Sequence, residues 1–169
     1  MTISGSRKVL FFGGLVLAAF GMLYGLQYAL FSEHQTLDQM GGSLAQSFAA
    51  AAGRDPAQSQ AALERYGETK YNYVREVDAH SHWIGLAMLM MVLGVVFDGV
   101  HFKEGTRQII ASSLLAGSIL FPLAVILQTY QHGALLPKAL AIVGPGLVIA
   151  ALMAAAWGFA RTRSTASIG

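Results

Sequence analysis

Cysteine is absent from the chain, which excludes a disulfide framework, a thiolate zinc site, an iron–sulfur cluster and covalent c-type haem attachment. Any metal would have to sit on His, Met, carboxylate or carbonyl ligands. Charge is also scarce. Only 12% of the 169 residues are Asp, Glu, Lys or Arg, against 54% hydrophobic, a balance ill suited to a soluble domain of this size. The net charge of +2 lies mostly outside the apolar stretches, so topology accounts for it and no nucleic-acid partner is expected.

What the chain has instead is long apolar runs. Residues 9–31, 83–100, 109–130 and 140–160 contain a single acidic or basic side chain, Asp98. About 20 helical residues cross a hydrocarbon layer of roughly 30 Å, and in lipid only a helix satisfies its own backbone, so each run is expected to be a spanning helix. The first run follows Arg7 and Lys8 but has no convincing small-residue cleavage site before Glu33, and is expected to be a retained anchor. The expected fold is a single all-α membrane domain over 1–169, an antiparallel four-helix bundle with a helical insertion at 32–80.

Orientation follows from the cations. Arg7, Lys8, Lys103, Arg107, Arg161 and Arg163 fall on one side with two acids; the other side has five cations and seven acids. Short positive segments stay inside, so the expectation is a multi-pass cell-membrane protein with both termini cytoplasmic and 32–80 extracytoplasmic. Within that insertion, Asp55-Pro56 reads as an N-cap and first helical position, and Gly67 as the stop of a short helix over 57–66. Thr69 is then expected to cap a second helix running into span two, and 41–53 to lie on the membrane surface or over the mouth of the bundle. Small residues recur at helical spacing (Gly14, Ala18, Gly21, Gly25; Ser113, Gly117; Ala151, Ala155, Gly158), which lets helix backbones approach closely. Pro122 and Pro145 each remove a ladder hydrogen bond and predict kinks.

The chemical signal is the placement of histidine. Four of the five histidines, His34, His80, His82 and His132, fall at the outer ends of spans one, two and three, where a bundle can bring them together; His101 lies at the other end. Imidazole is the commonest ligand of haem iron, copper and zinc. His80 and His82 are separated by about 200° around a helix, so only one can face inward, and the deeper His82 is favoured. Glu76 and Asp78 stand one turn before each and are expected to accept its second N–H. Membrane interfaces also favour amphipathic rings, so an aromatic belt with Tyr71, Tyr73, Trp83 and Tyr130 is the plainer reading. Tyr24, Gln27 and Tyr28 near the same mouth would suit a quinone head group. Asp98 and His101 are expected to form a local polar pair.

The stretch His80-Ser-His-Trp-Ile-Gly-Leu-Ala-Met-Leu-Met, a histidine pair opening an apolar span, resembles small four-helix membrane proteins that look like a fragment of the haem–copper oxidase catalytic subunit. The resemblance implies a haem-binding bundle with His80 or His82 as an axial ligand. The chain lacks the full set of spans and ligands of a complete oxidase subunit.

The leading expectation is therefore a membrane b-type haem or redox-metal protein taking part in electron transfer, with His82 or His80 and His132 or His34 as ligands, and with quinol as a candidate partner. One alternative is a non-catalytic accessory subunit packed among partner subunits of a respiratory or photosynthetic complex. Another is an extracytoplasmic copper or zinc binder.

Overall fold

The computed structural model describes residues 4–131 and 133–161. Among them every element is helical: α1 (Gly5–Phe31), α2 (Glu33–Ala52), α3 (Pro56–Val96) followed by a 3-10 turn (Phe97–Gly99), α4 (Glu104–Tyr130) and α5 (Leu135–Ala160). Four of them, α1, α3, α4 and α5, are long and apolar enough to cross a membrane. Their outward side chains are apolar, including Val16, Leu23, Val92, Ile109, Ile142 and Trp157. Such a belt is suited to contact with a lipid bilayer.

The helices extend beyond the apolar runs because polar residues of good helix propensity flank them. The largest departure is α3. The sequence predicts a stop at Gly67, yet the helix passes through it without a break. Nothing lies within 4 Å of where a Gly67 Cβ would stand, so this glycine serves neither a turn nor a close approach. Thr69 is likewise no cap, since its hydroxyl donates to the Arg65 carbonyl one turn back at 2.9 Å. The result is 41 continuous residues, about 60 Å at 1.5 Å per residue and twice the hydrocarbon thickness. The start is as expected: Asp55 accepts from the Gln58 N–H at 3.0 Å, with Pro56 at the first helical position.

The projecting half of α3 is covered by α2. The chain leaves α1 at Ser32 and then folds α2 back along α3 as a helical hairpin, held by Ser47–Ser59 (3.1 Å) and Arg65–Gln46 (3.0 Å). Residues 41–53, expected on the membrane surface or over the mouth of the bundle, belong to this hairpin. Its turn satisfies two carbonyls at the end of α2: Asp55 N–H donates to Ala50 at 2.9 Å and Arg54 N–H to Ala51 at 3.0 Å. Arg54 takes the left-handed conformation, φ 59°, that glycine usually fills.

In the spans, α1 packs on α3 and α4, and α4 packs on α5. The glycines set the spacing. At the α4–α5 crossing a Cβ on Gly117 would stand 2.7 Å from the Gly144 carbonyl, and one on Gly144 equally close to the Phe121 nitrogen. Backbones this near gain dispersion contacts, the main attraction when the solvent is as apolar as the core. Pro122 and Pro145 sit inside continuous helices. The start of α1 meets the ends of α3 and α4 through charge. The Asp98 carboxylate accepts from Ser4 Oγ (2.8 Å) and Arg7 (3.2 Å), and Glu104 accepts from the Ser6 N–H (2.9 Å) and pairs with Arg107 (2.6 Å). Asp98 therefore pairs with Arg7 rather than with His101, whose ring bonds to the Gly99 carbonyl.

Candidate binding site at the hairpin end of the spans

The sequence places four histidines at one end of the spans, and the structure gives those it describes separate surroundings. His34 lies on α2 with 90% of its side chain exposed, 3.4 Å from Asp38 one turn on. His82 is exposed too, its ring against Phe121 of α4 at a centroid distance of 4.5 Å. His132 lies outside the described residues. Among those described, no three His, Asp or Glu side chains gather as a metal-binding group.

His80 is the ring hydrogen-bonded to α1, whereas the favoured His82 meets α4. The His80 Nδ1 lies 2.9 Å from the Gly21 carbonyl oxygen of α1. A carbonyl only accepts, so Nδ1 carries the hydrogen, and the neutral ring keeps its lone pair on Nε2. The seat exists because α1 has no side chain there: a Cβ on Gly25 would stand 2.5 Å from Nδ1 and 2.9 Å from Nε2. The expected acceptor, Glu76, is thus replaced by a backbone carbonyl from another helix. A small-residue stripe was legible as helix packing; that it cradles an imidazole depends on register between α1 and α3, which spacing within one helix does not reveal.

Glu76 lines a cavity of about 340 Å³ instead, where the ends of α1 and α4 meet α2 and α3. Helix α1 contributes Tyr24, Gln27 and Tyr28; α2 contributes Thr36 and Gln39; α3 contributes Thr69, Asn72, Tyr73 and Glu76; Ile126 and Tyr130 of α4 close one side. On α3 the spacing 69, 72, 73, 76 is one helical face, continued one turn deeper by His80. Tyr28 stacks obliquely on Tyr73 at 6.4 Å, and Tyr24 meets Trp83 edge-on at 5.2 Å. The buried Asn72 Oδ1 has no hydrogen-bond donor within reach among the described residues.

Among the described residues this lining combines phenols, amides, hydroxyls and one carboxylate with no Lys or Arg. It offers acceptors and donors to an uncharged polar ring and no cation to a phosphate. The phenols and Gln27 were legible as a polar mouth. Asn72 and Glu76 were missed as part of it, although the periodicity of α3 puts them on one face with His80. Comparison of the chain with known family models, with characterised proteins and with solved structures returns no match.

Proposed function

We propose that this chain is a multi-pass protein of the cell membrane that takes part in electron transfer by binding the head group of a quinol-class lipid in the cavity where the ends of α1 and α4 meet α2 and α3. The observation that carries the reading is the lining: a chamber of about 340 Å³ whose described residues give aromatic walls, an amide oxygen unpaired among them and a carboxylate, and include no Lys or Arg. A quinol presents two O–H donors on a flat ring. Asn72 Oδ1 and the Glu76 carboxylate are acceptors of matching chemistry, and Tyr24, Tyr28 and Tyr73 give the ring faces to lie against. Glu76 is also placed to receive a proton when the quinol is oxidised.

A b-type haem or a redox metal is the proposed route for the electrons. His80 supports it in one respect, because a ligating imidazole usually donates its other N–H to a fixed acceptor, as Nδ1 does to Gly21. His34 is exposed beside Asp38 and His82 lies against Phe121, so His80 is the described histidine best suited to hold such a group. A haem bound here would supply a one-electron acceptor in a low-dielectric setting.

We also propose that the four spans form an antiparallel bundle with both termini in the cytoplasm, the hairpin of α2 and α3 projecting outside. Support comes from the cations: Arg7, Arg107 and Arg161 contact Asp98, Glu104 and Phe102 at one end. A second reading, an accessory subunit among partner membrane subunits, is favoured by the exposed apolar residues Leu37, Phe48 and Leu63 on the hairpin.

The deciding experiment is titration of the purified protein in nanodiscs with decyl-benzoquinol, followed by quenching of tryptophan fluorescence. Saturable binding that weakens about tenfold or more in Glu76→Ala and Asn72→Leu is expected. Absence of saturable binding overturns the reading. A reduced-minus-oxidised spectrum of the same sample tests for haem, whose Soret band should be lost in His80→Ala.

A further inference from the structure

A second hollow runs along the seam between α1 and α4, about 470 Å³ in volume, walled by Val16, Phe20, Trp83, Leu115, Ile119 and Leu123 and almost wholly apolar. It opens where α1 has glycine: a Cβ on Gly13 would already stand 3.1 Å from Leu115. Its walls continue those of the polar cavity. On α1 the residues 16 and 20 of the hollow lead to 24 and 28 of the cavity at one-turn spacing, and on α4 the residues 119 and 123 lead to 126 and 130.

Where the two meet stands Trp83, 1% exposed, with Phe20 and Tyr24 edge-on to its ring. Its indole N–H has no acceptor within reach among the described residues. A buried donor left unpaired is costly, and an indole at a lining position is a donor available to a ligand oxygen.

We propose that the seam holds the hydrocarbon tail of the same lipid whose ring occupies the polar cavity, with Trp83 donating to the ring oxygen beside the tail. The proposal rests on the head-group reading above and adds the path of the tail and the second point of recognition. The ligand class is a neutral ring bearing two oxygens and a single long hydrocarbon chain. A phospholipid fits less well, because the polar cavity has no Lys or Arg for its phosphate and the seam is one groove rather than two.

The test compares two probes, both kept reduced under anaerobic conditions, on the full chain in nanodiscs: dimethoxy-methyl-benzoquinol, which has no tail, and its decyl derivative. Val16→Trp and Ile119→Trp fill the seam from its lipid side, and Ile142→Trp on the outer face of α5 controls for adding a large ring. In the wild type the decyl compound should bind at least tenfold more tightly than the tail-less one. Both filling variants should remove that advantage and leave the tail-less affinity unchanged. Trp83→Phe should weaken both probes about fivefold, the loss expected for one hydrogen bond.

Equal affinities of the two probes for the wild type overturn the tail path, as does an advantage that survives both filling variants; in either case the head-group reading stands, because the tail-less probe still binds. A wild type that binds neither probe overturns the head-group reading and the tail path with it.

Discussion

Gly25 and His80 are so close that a Cβ on the glycine would stand 2.5 Å from the imidazole Nδ1. The same Nδ1 is held by the Gly21 carbonyl one turn away on α1, so the ring cannot retreat without giving up that bond. Gly25→Ala is therefore expected to cost about 1–3 kcal/mol, the usual range for overpacking. Gly67→Ala is the contrasting case, since its Cβ would enter open space in a helix interior and should gain about 0.5–1 kcal/mol. Thermal unfolding of both variants in the same detergent checks the pair. Equal and small effects would show that the His80 seat is loose.

The hairpin turn offers a stabilising substitution. Arg54 takes φ 59° while Gly53, one residue earlier, takes an ordinary helical conformation. The glycine is thus one position away from where the left-handed cap needs it. Arg54→Gly should raise stability by about 1 kcal/mol, and Arg54→Ala should not, because alanine meets the same penalty as arginine. A midpoint shift in both variants would mean that the charge, not the backbone, is responsible.

These two sites also mark the limit of what was legible in the sequence. The four spans could be read because an apolar run of that length has few other solutions, and the Asp55-Pro56 start because it needs only neighbouring residues. Gly67 misled because glycine weakens a helix without ending it when packing against α2 supplies the missing stability. Within the site, the phenols on α1 were visible as a cluster, but the choice between His80 and His82 turned on which face of α3 meets the glycines of α1. That is a property of two helices in register, and no periodicity within α3 contains it. The preference for the deeper His82 rested on depth along α3 alone, while the structure sets His80 against α1 and His82 against α4.

Topology is open to direct measurement because the chain has no cysteine to interfere. Arg54→Cys at the hairpin turn should react with a membrane-impermeant maleimide in intact cells. Gly105→Cys, at the start of α4 with nothing within 4 Å of its Cβ, should react only after permeabilisation. Labelling in the opposite order would reverse the proposed orientation while leaving the fold intact.

The charges that join the start of α1 to the ends of α3 and α4 should respond to salt. Asp98 bonds to Arg7 at 3.2 Å and to Arg107 at 3.5 Å, with all three side chains in part open to solvent. Screening lengths fall from about 10 Å at 0.1 M salt to about 3 Å at 1 M, so exposed pairs weaken over that range. Asp98→Asn is expected to lower the melting midpoint at low ionic strength and to differ little from wild type at high ionic strength. A loss of equal size in both conditions would assign the effect to the Ser4 hydrogen bond.

Asn72 separates binding from stability. Its buried Oδ1 has no donor among the described residues, so replacing the side chain with an apolar one of similar size removes a desolvated acceptor that gives up no bond there. Asn72→Leu should leave the ligand-free protein as stable as wild type or more stable by about 1 kcal/mol. The same change should weaken decyl-benzoquinol about tenfold if a ligand O–H donates to that oxygen, and the ligand should then raise the melting midpoint less than it does for wild type. Melting curves with and without ligand measure both effects on one sample. A variant that is destabilised without ligand, yet binds as wild type does, would make Asn72 a packing residue and move the acceptor role to Glu76 alone.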